Sequence, residues 1–104
     1  MIYTIIVKNT NAVTFKTGTT DHLEERLARY LTHGLDLDLI DVREGTQEDE
    51  KQIHKLYKSF GFKRVYRVNP VTGRRVCTEF FHKPGNLNRT KLKSEILGLL
   101  NNRA

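Results

Sequence analysis

The stretch FKTGTTDHLEER, residues Phe15–Arg26, joins a strand to an amphipathic helix and decides how the chain folds. Its first half is typical of a strand, which Gly18 is expected to end because glycine gives the backbone freedom there. Residues 19–21, TTD, are candidate N-caps, and the acidic first turn that follows suits the helix dipole. Arg26 is then expected on the edge of the apolar stripe of this helix, partly shielded from water.

The segments around this stretch alternate between strand and helix patterns. Residues 2–8 predict a strand with both faces buried, Asn9-Thr10-Asn11 a turn, and residues 12–17 the returning strand of an N-terminal β-hairpin. Residues 35–42 predict a strand with a change of phase. A second helix is expected to be capped by Thr46 and ended by Gly61, with Ile53, Leu56, Tyr57 and Phe60 on its inner face. A hairpin over 62–68 and 74–82, a loop at Pro84-Gly85-Asn86 and an amphipathic helix over 88–102 are expected to follow.

These elements predict one domain over residues 1–104. The fold class is α+β, with a small antiparallel sheet that begins with the N-terminal hairpin and is flanked by helices. A basic C-terminal hairpin and a terminal helix complete it. No apolar run approaches the roughly 18–20 residues needed to span a bilayer, so no membrane contact is expected. The one cysteine, Cys77, favours a reducing, cytoplasmic location.

Charge is divided unevenly between the two halves of the chain. Residues 1–52 carry six Lys/Arg and ten Asp/Glu, whereas residues 53–104 carry twelve Lys/Arg and two Asp/Glu. A basic half on a small domain is expected of a protein that binds a polyanion. The C-terminal hairpin concentrates this charge and interleaves it with aromatic residues, a pattern typical both of nucleic-acid-binding surfaces and of half-buried strands. Its candidate nucleic-acid-binding residues are Lys63, Arg64, Arg67, Arg74 and Arg75.

Two polar residues of the second helix fall near its apolar face. Glu50 precedes Ile53 by three residues and Tyr57 by seven, which puts its carboxylate on the buried stripe, and His54 follows one turn later. A functional carboxylate is one interpretation. The other is that Glu50 is a third acid in a first turn that complements the helix dipole.

Five short motifs, in this order, resemble the GIY-YIG nuclease family. Met1-Ile2-Tyr3 stands where GIY is expected and Lys16-Thr17-Gly18 where YIG is expected, and Arg26 lies at the usual distance after the glycine. Glu50 followed four residues later by His54, and Glu79-Phe80-Phe81, resemble a branch common in bacteriophage genomes whose second motif is KIG-like. The resemblance covers about residues 1–82. Met1, Lys16 and Thr17 depart from the name-giving tripeptides.

The resemblance implies a metal-dependent DNA endonuclease of low sequence specificity, encoded by a phage or mobile element and active in the host cytoplasm. It implies that Arg26 holds a phosphate and that Glu50 binds Mg²⁺ or another divalent cation. Tyr3, helped by Lys16 or His54, would handle the proton of the attacking water. A lysine charge nearby would lower the pKa of that tyrosine. A homodimer or a larger nuclease complex would be needed for sequence recognition.

Two other functions fit the same sequence. One is a nucleic-acid-binding protein on the same fold whose active site is degenerate at Met1, Lys16 and Thr17, with salt-sensitive binding and no cleavage. The other is a small interaction protein whose basic half docks on an acidic protein. In both, Tyr3 is a core residue, and His54 and Lys16 need no catalytic role.

Overall fold

The computed structural model describes residues 1–8, 13–84 and 88–101, which have the predicted α+β architecture. The elements are β1 (Ile2–Lys8), β2 (Val13–Thr19), α1 (Leu23–Thr32), β3 (Asp36–Arg43), α2 (Gln47–Ser59), β4 (Lys63–Val68), β5 (Arg75–His82) and α3 (Arg89–Asn101). The strands form one antiparallel sheet in the order β3-β1-β2-β5-β4. Four predicted features lie outside the described residues: the turn at residues 9–11, the strand start at Ala12, the loop at Gly85-Asn86 and the helix end at Asn102.

Helices cover both faces of the sheet, and β1 supplies side chains to each. Ile2 and Ile6 belong to the core that includes residues of α2 and α3, whereas Tyr3, Ile5 and Val7 pack against α1. This division follows from the alternation of side chains along a strand. All five are buried, which confirms the prediction of a first strand buried on both faces. Each of the four aliphatic side chains contributes roughly 1.5–3 kcal/mol to stability by leaving water.

The second strand is longer than predicted and continues through Gly18. Gly18 pairs with Tyr3 on β1, and β2 ends one residue later at Thr19. The helix therefore begins later as well, with His22 as its N-cap and no side-chain cap, so the N-caps predicted at Thr19, Thr20 and Asp21 are wrong. The Thr20 hydroxyl instead accepts a hydrogen bond from the backbone N–H of His22 at 3.0 Å.

The predicted change of phase in the third strand is a β-bulge. Thr4 pairs with Asp41 and Ile5 with Leu39, so Ile40 is the extra residue on β3. Ile40 packs against the core that contains α2 and α3, whereas Leu37 packs on the α1 side. Because these residues are three positions apart, strand alternation already places them on opposite faces, and the bulge shifts the alternation only beyond Ile40.

The second helix begins and ends as predicted, but one of its predicted inward residues is exposed. Thr46 and Asp49 form a capping box, and Gly61, with φ of +87°, reverses the chain after the helix. Ile53 and Tyr57 are buried. Phe60 is 57% exposed, contrary to prediction, because the helix has already ended at Ser59, and Phe62 enters the core beyond the turn.

The predicted C-terminal hairpin joins the rest of the sheet through a narrow junction. Within the described residues, Phe15 on β2 and Phe81 on β5 are the one register pair between those strands. Their rings stack with centroids 5.7 Å apart. Tyr57 and Phe62 meet the Phe15 ring edge-on, at 5.0 and 5.1 Å. An aromatic cluster therefore holds the hairpin on the sheet.

We expect Gly18→Ala to lower the free energy of unfolding by about 1–3 kcal/mol, as overpacking of a core does. A Cβ at this position would stand 2.8 Å from the Tyr3 hydroxyl oxygen and 3.0 Å from the adjoining ring carbon, and the Tyr3 ring is buried. Gly98→Ala is the matched control, since a Cβ there meets nothing within 4 Å. In the interior of α3 it should raise stability by roughly 0.5–1 kcal/mol. Urea unfolding of both variants checks this, and a Gly18→Ala protein as stable as the parent would contradict the Tyr3–Gly18 packing.

Candidate active site

A cleft of about 300 Å³ opens where β2 and β5 separate beyond the Phe15–Phe81 pair. Because no described strand pairs with the last residues of β2 on this edge, side chains from both faces of the sheet reach the gap. All five residues predicted for catalysis or metal binding line this one cleft. Its lining is Tyr3, Lys16, Thr17, Gly18, Thr19, Arg26, Glu50, His54, Arg64 and Glu79.

The first helix brings Arg26 to the rim of the cleft, half-buried as predicted. Its charge acts on the Tyr3 hydroxyl and on the Glu79 carboxylate. In the described part of the chain, its guanidinium makes no hydrogen bond and no ion pair. An arginine with unused donors can bind a phosphate through two parallel hydrogen bonds.

The first turn of α2 brings Glu50 to the same cleft. The capping box fixes where α2 begins, with the Asp49 carboxylate accepting from the Thr46 backbone N–H at 2.8 Å. Glu50 is half-buried, and its Oε1 accepts a hydrogen bond from the Thr19 hydroxyl at 2.8 Å. Glu50 is therefore an acid of the first turn, and its carboxylate also lies in the cleft, where a functional role would require it.

The Tyr3 hydroxyl lies 3.0 Å from the Tyr30 hydroxyl on α1. Burial, and then the hydrogen bond with Tyr30, raise the pKa of Tyr3 above its ordinary value. The charge that acts to lower this pKa is that of Arg26 rather than Lys16, and it does not outweigh burial. Tyr3 therefore stays protonated near neutral pH and acts as a hydrogen-bonding group.

Lys16 is buried and forms an ion pair with Glu79, whose side chain is 75% exposed. The hydrogen bond and charge of Lys16 lower the pKa of the Glu79 carboxyl, and Arg26 and Arg64 act in the same direction. A carboxylate thus stands among three cations in the cleft. Such a cluster of positive charge is suited to holding an anion.

His54 uses both ring nitrogens in hydrogen bonds. Its Nε2 donates to the backbone carbonyl of Thr17 at 2.9 Å, because a carbonyl can only accept. Its Nδ1 then accepts from the Arg64 guanidinium at 3.3 Å. His54 therefore bridges α2, β2 and β4 and orients Arg64, and neither nitrogen is left to take a proton from water.

Thr17, which stands where the YIG motif has isoleucine, is satisfied inside the core. Its hydroxyl lies 2.7 Å from the Tyr57 hydroxyl and 2.8 Å from that of Thr4. Burial raises the pKa of Tyr57 to about 12, so this phenol remains neutral in the network. A buried hydroxyl with two partners costs little stability, which accounts for a polar residue at this position.

The five predicted hairpin cations do not share one surface. Arg64 lies in the cleft, where its guanidinium also stands 4.6 Å from the Phe81 ring centroid. Lys63 and Arg75 line a neighbouring depression. Arg67 pairs with Val76, one position along from the Tyr66–Cys77 pair, so it points to the opposite side of the hairpin. Arg74 lies between the two strands, outside both clefts.

Thr19 and Glu79 are cleft residues that the predicted site did not include. The sequence offers one feature that singles out Glu79, since it is one of only two acidic residues among residues 53–104, which carry twelve Lys/Arg. No such feature singles out Thr19, because its hydrogen bond to Glu50 joins residues 31 positions apart.

The described residues contain no group of three or more His, Cys, Asp or Glu side chains arranged to hold a metal ion. Among the described residues, Glu50 therefore belongs to no such group. None of the helices in the described ranges has the length and apolar character to cross a bilayer.

Comparisons of the chain with protein-family models, curated proteins and solved structures give no match.

The Lys16–Glu79 ion pair predicts a pH dependence of stability. Because the pKa of Glu79 is lowered in the folded state, its contribution is present above its unfolded pKa and is lost as pH falls through the folded value. We expect Glu79→Gln to lose less stability than the parent between pH 6 and pH 3, as measured by thermal unfolding. Glu44→Gln, at an exposed glutamate outside the cleft, should keep the parent's acid response. Identical acid profiles for the parent and Glu79→Gln would contradict the ion pair.

Proposed function

We propose that the cleft binds a phosphodiester of DNA and hydrolyses it with a divalent cation held at Glu50, as a GIY-YIG-type endonuclease. The observation that carries the proposal is the convergence of Tyr3, Lys16, Arg26 and Glu50 on one cleft. These residues come from four separate elements. The motif order that they form in the sequence is the one that resembles this family.

The positive charge of the cleft fits a phosphate. Arg26 offers unused donors, and Lys16 and Arg64 place two more positive charges near the Glu79 carboxylate. Glu79 marks where an anion is favoured, and an entering phosphate competes with it for these cations. A preorganised donor such as Arg26 is worth about 10²–10³ in rate when charge develops on phosphate oxygens.

The chemistry of Glu50 suits Mg²⁺. This ion keeps several waters and is held in enzymes by one or two carboxylates together with substrate phosphates. Thr19 is the one donor to the Glu50 carboxylate among the described residues, so oxygen lone pairs remain for a cation. When bound, the ion supplies polarisation of the phosphate and a more acidic water.

The paired hydroxyls of Tyr3 and Tyr30 have the role of orienting the attacking water. The raised pKa of Tyr3 keeps it neutral, so it holds water by a hydrogen bond without acting as a phenolate. His54 positions Arg64, and the proton of the water leaves toward solvent at the open side of the cleft. The exposed, free thiol of Cys77 suits a reducing compartment, which supports activity in the cytoplasm.

One feature favours the second candidate, a protein that binds nucleic acid without cutting it. Lys16 is paired with Glu79, and both nitrogens of His54 are occupied, so neither group is a free base. Binding that weakens with salt, together with no cleavage in any divalent metal, would establish this candidate.

We expect the protein to nick supercoiled plasmid in Mg²⁺ and to stop when EDTA is added. Arg26→Ala should lower the rate about 10²–10³-fold, because it removes the phosphate-binding donor. Arg29→Ala, at an exposed arginine on the same helix, should retain the parent rate.

Glu50→Gln should abolish the Mg²⁺-dependent rate, with Glu48→Gln, an exposed acid in the same turn, as its control. Equal nicking by the parent, Arg26→Ala and Glu50→Gln would identify a contaminating nuclease and remove the proposal.

A further inference from the structure

A second depression, here called the hairpin cleft, lies beside the candidate active site on the C-terminal hairpin. Its volume is about 590 Å³, and its lining includes Lys58, Lys63, Tyr66, Arg75 and Cys77. Arg64 lines both this cleft and the active-site cleft. The two are therefore neighbours that share one cation.

The charge of the hairpin cleft is unbalanced. None of its eight described lining residues is acidic. Lys58, Lys63 and Arg75 form no ion pair with any carboxylate of the described chain. Lys58 comes from the last turn of α2, so a helix and a hairpin together concentrate these charges. Unpaired cations in a concave surface attract a polyanion and release its counterions on binding.

An aromatic ring lies among these cations. Tyr66 is 50% exposed, and the Arg75 guanidinium stands 4.3 Å from its ring centroid. A tyrosine ring and a guanidinium plane are both surfaces on which a nucleobase stacks. In a duplex the base faces are already stacked on one another, so only an unpaired strand offers a face to Tyr66.

We propose that the hairpin cleft binds a single-stranded segment of nucleic acid, with a base stacked on Tyr66 and Arg75. The phosphates of this segment lie along Lys58, Lys63 and Arg64, and the strand continues into the active-site cleft. This inference rests on the proposed function and names its substrate class, which is an unpaired strand, alone or beside a duplex.

The test measures binding without cleavage, in EDTA, so its outcome is independent of whether the protein is a nuclease. Fluorescence anisotropy should give a lower Kd for a labelled twelve-nucleotide oligothymidine than for a duplex of the same length. Tyr66→Ala should weaken binding of the single strand roughly 5–100-fold, the range for loss of one stacked base. Tyr66→Phe should stay within about twofold of the parent, since it keeps the stacking face. Arg67→Ala, on the opposite side of the hairpin, should weaken binding less than Arg75→Ala.

Cys77 gives a second readout, because it lines the cleft opposite Tyr66 and is the chain's one cysteine. Saturating oligothymidine should slow its alkylation by iodoacetamide in the parent and in Tyr66→Phe. Tighter binding of duplex than of single strand, or single-strand binding that neither needs Tyr66 nor protects Cys77, would overturn the proposal. A protein that nicks plasmid yet gives either result would keep the nuclease function and lose this inference.

Discussion

The packing of Phe15 against Phe81 is the contact on which the rest of this structure depends. It is the one register pair in the described chain that joins the C-terminal hairpin to the sheet. Tyr57 and Phe62 complete a cluster of buried aromatic rings around it. Aromatic pairs of this geometry contribute about 0.5–1.5 kcal/mol each beyond the area they bury. The strands can then separate beyond this point without the hairpin coming away.

That separation creates the candidate site. On β2, the backbone carbonyl of Thr17 bonds to His54, and the side chain of Lys16 bonds to Glu79 across the gap. The site therefore combines an acidic N-terminal half, which supplies Glu50, with a basic C-terminal half, which supplies Arg64. Both halves thus contribute to the cleft, although Arg26 and Glu50, to which we assign the phosphate and the cation, both come from the first.

Local features of the fold could be predicted from the sequence, and features set by distant contacts could not. The cap at Thr46 and the helix end at Gly61 depend on neighbouring residues, and both are confirmed. Gly18 was expected to end a strand, but the Tyr3 ring packs over it and the strand continues. Phe60 was expected inside, but its helix ends too early. In each failure a tertiary contact or a boundary shifted by one residue changed the outcome.

The residues of the candidate site were likewise predictable only in part. Motif spacing was enough to predict Arg26 and Glu50 as site residues, and the two share a cleft. It could not give the partner of Lys16, because Glu79 lies 63 residues further along. Motif spacing also could not show which hairpin cations lie on which face of the hairpin. The shift in the β4–β5 register between Arg64 and Tyr66 decides this. Charge and spacing thus predict which residues take part, and the pairing of strands decides which of them meet.

The most direct test of the central claim is a crystal structure with Mg²⁺ and an oligonucleotide whose phosphates are replaced by slowly hydrolysed phosphorothioates. We predict that one backbone phosphate would lie against the Arg26 guanidinium and that Glu50 would hold the magnesium ion. A structure in which the oligonucleotide contacts only the outer surface of the hairpin, with Arg26 and Glu50 touching neither phosphate nor metal, would contradict it.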